Sequence, residues 1–361
     1  MPRCARPGGG KLVAGSDQHR FPSPTHLLFR FRLMPEINRD INKAIIFSFK
    51  GEDYHKAHLL EHCLSAYFLD HNLPLYKLRM LSLGLGVLFD EKVPPFPKVS
   101  DLEPYIENQK RRVNIELLTA LDSRDILIER LHKSRVETLE EATDYIENIL
   151  NWDNREVLQD FKRIYKTKVE VANLSATLSE IPKDTGFSPT KRRICVPKTD
   201  PHIDTVEIAI RVPRSVEVLN WWVSLYSRAE KELEKLTILG DIAHGFFYSI
   251  HTLPEGYHYF SHSPRTRVGQ GQRAIDFLLD FLRNRGLEEH SSFDRKREMI
   301  LERISKNWKK NKLTDMLVTE LILWRRILKP EDFESLSYKR MVELHQTLLF
   351  DPNNIYILTD F

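Results

Sequence analysis

The sequence predicts an α+β fold of two homologous lobes, each a mostly antiparallel β-sheet packed with helices. Three observations predict it. One order of strands and helices appears twice along the chain, a proline-rich stretch separates the two copies, and 361 residues suffice for two cores of ordinary size. The boundaries that follow are a disordered leader over 1–24, a first lobe over 25–178, a linker over 179–203 and a second lobe over 204–361.

The first lobe opens with a strand over 44–49, where Ile45, Ile46, Phe47 and Phe49 supply the bulky side chains that suit a pleated surface. A helix follows over 54–69 and stops near Asn72 and Pro74. Further helices over 104–121 and 155–165 lead to a closing strand over 169–178. The linker is marked by Pro182, Gly186, Pro189, Pro197 and Pro201.

The second lobe repeats this plan with a strand over 205–212, a helix over 218–236, helices over 293–308, 314–327 and 338–349, and a final strand over 354–359. Ile45 aligns with Val206, Arg111 with Lys296 and Val171 with Ile355, so the register slips by about 23 residues after the first helix. The extra material is centred on 245–263, where aromatic strand patterns flank Pro254-Glu255-Gly256 and predict a β-hairpin. The first lobe is expected to lack a counterpart.

Composition excludes several functions. Apolar residues make up 41% and charged residues 29%, with a formal charge of +3, which gives no field for nucleic acid or an anionic membrane. Lys191-Arg192-Arg193 and Lys309-Lys310 read as solvated surface. No stretch approaches the ~18 apolar residues of a membrane span. Cys4, Cys63 and Cys195 lie far apart with no C-x-x-C pair, which argues against a disulfide framework or thiolate zinc site and fits a reducing cytoplasmic compartment. The opening Met1-Pro2-Arg3-Cys4-Ala5-Arg6 is followed by Gly8-Gly9-Gly10 rather than an apolar core, so it is not a secretory signal.

Chemistry is carried by His58-Leu59-Leu60-Glu61-His62. On a helix, positions i and i+4 share a face, so both imidazoles can converge on one zinc ion, and Glu61 can reach a water there as general base. A third ligand is expected from a downstream carboxylate. The second helix offers Glu107, in a charged turn, and Glu116, among Val113, Ile115 and Leu117 on the apolar stripe. A carboxylate near a buried face needs a partner, and a metal ion would serve, so Glu116 is favoured. Cys63, one residue past His62, is turned about 100° toward the core, and His55 is expected on the exposed side of the helix.

Together the H-x-x-E-H pattern, the downstream glutamate and the duplicated layout resemble the pitrilysin (insulinase) family of zinc metallopeptidases, over 43–361. The resemblance implies two lobes closing like a clamshell around a chamber that admits peptides or unfolded segments. It implies zinc held by His58, His62 and Glu116, with Glu61 as general base. The distance from Glu116 to the helix around Gln159-Asp160-Phe161 matches the family and favours Glu116 over Glu137 or Glu140. The second lobe would hold no metal, since Leu219, Trp222 and Val223 occupy the corresponding positions.

Tyr248, in Gly245-Phe246-Phe247-Tyr248, resembles the family tyrosine that holds the reacting carbonyl. Three departures accompany the match. The segment before the third ligand is about 20 residues short and is expected to lack the strand that pairs with extended substrate. The family's second-lobe arginine position, near Ile242, is apolar, and Gln109 replaces a common second carboxylate. The function implied is a zinc endopeptidase for short or unstructured peptides, such as a leader or precursor. A related paired subunit would supply the missing arginine. The other reading is a non-catalytic partner subunit of a hetero-oligomeric processing protease. His244, His251, His258 and His262 form no closed metal site by spacing and are expected at the surface.

Overall fold

The computed structural model describes residues 39–124, 126–180, 189–218, 243–253, 257–285, 287, 289–334 and 337–361. The expected leader, Leu219, Trp222, Val223, Ile242 and the Pro254-Glu255-Gly256 turn lie outside them.

Two sheets share one topology. The first contains β1 (Lys43–Ser48), β2 (Lys77–Leu81), β3 (Gly84–Phe89) and β4 (Val169–Val171), all antiparallel, in the order β2-β3-β1-β4. The second contains β5 (Arg193–Cys195), β6 (Ile203–Pro213), β7 (Ala243–Leu253), β8 (Tyr257–Arg267) and β9 (Ile355–Thr359), in the order β5-β9-β6-β8-β7. Strand β6 pairs with β8 and β9 as β1 pairs with β3 and β4, so the repeat read from the sequence is a repeat of pairing.

The first lobe does have a hairpin, against expectation. Strands β2 and β3 pair from Lys77↔Leu88 to Leu81↔Gly84. Lys77, Arg79, Gly84 and Gly86 break the bulky strand pattern that marks β7 and β8. The glycines are needed for close approach, since a Cβ on Gly84 would stand 2.8 Å from the Phe47 carbonyl oxygen. The slip in register has two sources. The first-lobe hairpin is shorter, and helix α6 (Gly271–Asp280), extended by a π-turn over Phe281–Arg285, stands where the first lobe has only the 3₁₀ turn Val99–Tyr105.

The first lobe's expected helices appear as α1 (Tyr54–Asp70), α2 (Ile106–Asp122) and α5 (Asn154–Tyr165). Between the last two lie α3 (Leu127–Lys133) and α4 (Leu139–Glu147), which the periodicity did not reveal. Thr138 caps α4, and Glu141 completes the capping box, a signal legible in Thr138-Leu139-Glu140-Glu141. Strand β4 ends at Val171, earlier than expected, and Thr177 forms only an isolated bridge to Arg326. Residues of the expected linker form β5, parallel to β9. The second half continues with α7 (His290–Lys310), α8 (Asp315–Trp324), the short α9 (Glu331–Glu334) and α10 (Tyr338–Phe350).

Both faces of the first sheet are covered, so β1 buries Ala44 to Phe47 without alternation. Ile45, Phe47 and Val87 meet the cluster formed with α1, α2 and α5. Ala44, Ile46 and Leu88 meet Leu317, Val318, Leu321 and Ile322 of α8, from the other half of the chain. In return α3 leaves the first half and packs on β6. Each fully buried Leu or Ile in these layers contributes roughly 1.5–3 kcal/mol, so exchange of helices binds the halves into one body.

Candidate metal centre

Helix α1 starts directly after β1, through Lys50 and the turn Gly51–Asp53. Asp53 is buried and paired with Arg163 of α5, and Lys56 reaches Asp160 at 3.4 Å, so both contacts clamp the start of α1 to α5. Helix α2 is fixed about its own axis by two buried polar side chains. Asn114 donates to the Ile146 carbonyl at 2.9 Å, and Lys110 donates to the Trp152 carbonyl and to Glu107. With those groups turned inward, Glu116 faces α1.

There it meets both histidines. His62 Nε2 is 3.2 Å from Glu116 Oε2, and His58 Nε2 is 3.5 Å from Glu116 Oε1. The two imidazole rings lie 4.9 Å apart, centroid to centroid, and one donor atom from each of the three residues falls within 4.8 Å of the others. Glu61 Oε2 lies 4.0 Å from His58 Nε2. Side-chain exposure rises from 10% at His58 to 29% at Glu116, so the cluster opens to solvent on the Glu116 side.

Electrostatics separates the two carboxylates. Burial works against the charge on Glu116, but hydrogen bonds from His58 and His62 and their charges outweigh it and hold its pKa well below the usual carboxylate range. Burial dominates at Glu61, Glu116 adds to it, and the pull of His58 and His62 is too small to compensate, so its pKa is raised. A raised carboxylate pKa suits a general base working near neutral pH.

The donor set fits zinc. Two imidazole nitrogens and one carboxylate oxygen on a partly open face form the three-ligand arrangement of catalytic zinc sites, with a fourth position left for water or substrate. Glu107 instead pairs with Lys110 at 3.0 Å, and Glu137 accepts from Thr190 at 2.7 Å, so neither joins the cluster. Gln109 is buried within α2.

Two local expectations are corrected. Ile115 is 64% exposed, so the buried stripe of α2 runs through Val113 and Leu121, and Glu116 sits at its edge. His55 is buried, not exposed. Its Nε2 stands 3.3 Å from Ser134 Oγ, and its ring packs against Tyr54 and Tyr145. Burial, with smaller effects from His58 and Lys133, lowers its pKa to about 3. The cover over His55 comes from α3 and α4, which are distant in sequence and left no mark in the local pattern. Cys63 does face the core, and burial pushes its thiol up to about 12.

Tyr248 lies on β7, its backbone paired with His262, and its side chain is outside the described residues. The same holds for the side chains of His244, His251, His258 and His262. Tyr54, Glu129, Lys133 and Ser134 surround the start of α1 and were missed in the sequence. A lysine in the last turn of a helix ordinarily reads as a solvated charge.

No protein-family profile matches the sequence, and no curated protein does. Solved structures do match. The periplasmic protease PqqL from Escherichia coli superposes with a TM-score of 0.52 at 11% identity, over 89% of this chain and 45% of that one. A protease from Helicobacter pylori gives 0.51 at 10% identity, over 88% and 92%. A chain of complex III2 from Candida albicans gives 0.51 at 9%, over 88% and 90%. The chain thus spans under half of PqqL and nearly all of the Helicobacter protein. The expected two-lobed α+β fold is the fold that this chain shares with the matched portions of these structures.

Proposed function

We propose that the chain is a zinc-dependent endopeptidase acting on short or unstructured peptides in the cytoplasm, together with a related peptidase-like subunit. The observation that carries this reading is the convergence of His58, His62 and Glu116 within 4.8 Å, with Glu61 beside them. On this reading 25–178 is the metal-binding lobe, 179–203 the linker and 204–361 the metal-free lobe.

Bound zinc supplies Lewis-acid polarisation of a carbonyl oxygen and acidifies a water. His58 and His62, on one face of α1, and Glu116, from α2, would hold the ion. Glu61 would take the proton of the attacking water and pass it to the leaving amine. Tyr248 donates to the oxyanion, a contact of the kind worth ~3 kcal/mol. The first sheet keeps β2 and β3 as a hairpin, so the expected loss of a substrate-pairing strand is not a reason against catalysis.

A second reading, a non-catalytic partner subunit, is favoured by the apolar Ile242 where the family carries arginine. Zinc content and cleavage of an unstructured peptide, compared between wild type and Glu61→Gln, separate the two. The peptidase reading expects zinc in both proteins and cleavage by wild type alone. Stoichiometric zinc with no cleavage in any partner mixture would support the scaffold, and cleavage unchanged by Glu61→Gln would remove Glu61 from the mechanism.

A further inference from the structure

Helix α3 touches both lobes. Both of its ends meet the second sheet: near its start the Ile128 N–H donates to Glu207 Oε2 of β6 at 3.0 Å, and near its end the His132 ring packs 5.3 Å from Tyr356 of β9. Its last turn is held against the start of α1. Lys133 Nζ donates to the Tyr54 hydroxyl at 3.1 Å, lies 4.5 Å from that ring's centroid, and pairs with Glu129. Ser134 reaches His55. Tyr54 and His55 open α1, one turn before His58, and the Tyr54 ring stands edge-on to His55 at 5.1 Å and 6.4 Å from His58.

Stability does not account for this arrangement. Side-chain exposures of 19% for Lys133 and 2% for Glu129 mark a desolvated ion pair, and such pairs are on balance no more stabilising than apolar side chains of the same volume. What the ammonium does achieve is to hold the hydroxyl at 3.1 Å and stand 4.5 Å from the ring centre, which fixes the position of an aromatic ring 6.4 Å from a candidate metal ligand. Groups that orient a ligand from outside the coordination shell change metal affinity by about 10–100-fold when removed.

We propose that Lys133 and Tyr54 are positioning residues of the metal centre, with α3 as a strut that ties the orientation of His58 to the second sheet. The proposal rests on the zinc reading above. The full chain is titrated with zinc against a chromophoric chelator, and its cobalt-substituted form is followed by visible absorption, for Tyr54→Phe, Lys133→Met, the double variant and Lys133→Arg. Each of Tyr54→Phe and Lys133→Met is expected to weaken zinc binding about tenfold and shift the cobalt bands. The double variant should bind no more weakly than Lys133→Met, because the two act through one contact, and Lys133→Arg should recover most of the loss. Altered melting temperatures with unchanged zinc affinity and cobalt spectrum would overturn the proposal, as would additive losses in the double variant. Tyr54→Phe preserves ring and volume, so it carries the test if Lys133→Met does not fold. Failure of the zinc reading itself shows separately, as a wild type that takes up no zinc.

Discussion

His62 Nε2 and Glu116 Oε2 stand 3.2 Å apart, joining the middle of α1 to the middle of α2. The separation depends on how α2 is rotated, and that rotation is set by Asn114, whose amide donates to the Ile146 carbonyl from a buried position. Asn114→Ala removes this hydrogen bond, while the carbonyl keeps the Asn148 N–H, and should cost about 0.5–1.5 kcal/mol in urea unfolding. It should also weaken zinc binding, whereas an equally destabilising substitution in the second sheet should not. Equal effects of both on zinc would contradict this role for α2.

Stability should fall as pH drops below about 6.5. Burial dominates at both His55 and His132, lowering their pKa to about 3 from the ordinary 6.5. Between those values the unfolded chain binds more protons than the folded one. The stabilisation is complete above 6.5 and is lost toward pH 3, at about 1.4 kcal/mol per pH unit for each histidine. Urea unfolding of metal-free protein from pH 6.5 to 5, above the ordinary carboxylate range, should show this slope, and His132→Gln should roughly halve it. A flat profile would contradict the assignment.

The packing of α8 on the first sheet makes two glycines respond differently. A Cβ on Gly84 meets a backbone oxygen at 2.8 Å, and one on Gly86 meets the ends of Ile322 and Leu88 at 3.1 and 3.2 Å. Gly84→Ala and Gly86→Ala should each cost about 1–3 kcal/mol. Trimming the helix with Ile322→Val should relieve Gly86→Ala and leave Gly84→Ala unrelieved. Denaturation midpoints of the three single and two double variants check this.

Cys63 should be inert in the folded chain. It is buried, with its thiol pushed up to about 12, and the thiolate is the reactive form. Alkylation followed by mass spectrometry should label it only after denaturation. Labelling under native conditions at neutral pH would show that α1 opens.

What the sequence made legible was what short-range rules encode. His58, Glu61 and His62 are related by one helical turn, and β1, α1 and α2 carry strong local patterns. The placement of Glu116 beside both histidines was less legible, since local hydrophobicity pointed through Ile115, which is exposed. Hidden features depended on distant packing. Gly84 and Gly86 look like strand breakers until α8 is laid over them. His55 looks like a solvated helix residue until Ser134 and Tyr145 cover it, and Arg193–Cys195 looks like linker until β9 pairs with it.

A zinc centre here requires Glu116 to close a three-ligand site with His58 and His62, and metal stoichiometry measures that directly. Wild type and Glu116→Gln, dialysed against equal free zinc, should hold about one zinc and essentially none, with a loss of affinity beyond the 10–100-fold typical of groups outside the coordination shell. Equal zinc in the two proteins, or none in wild type, would contradict it.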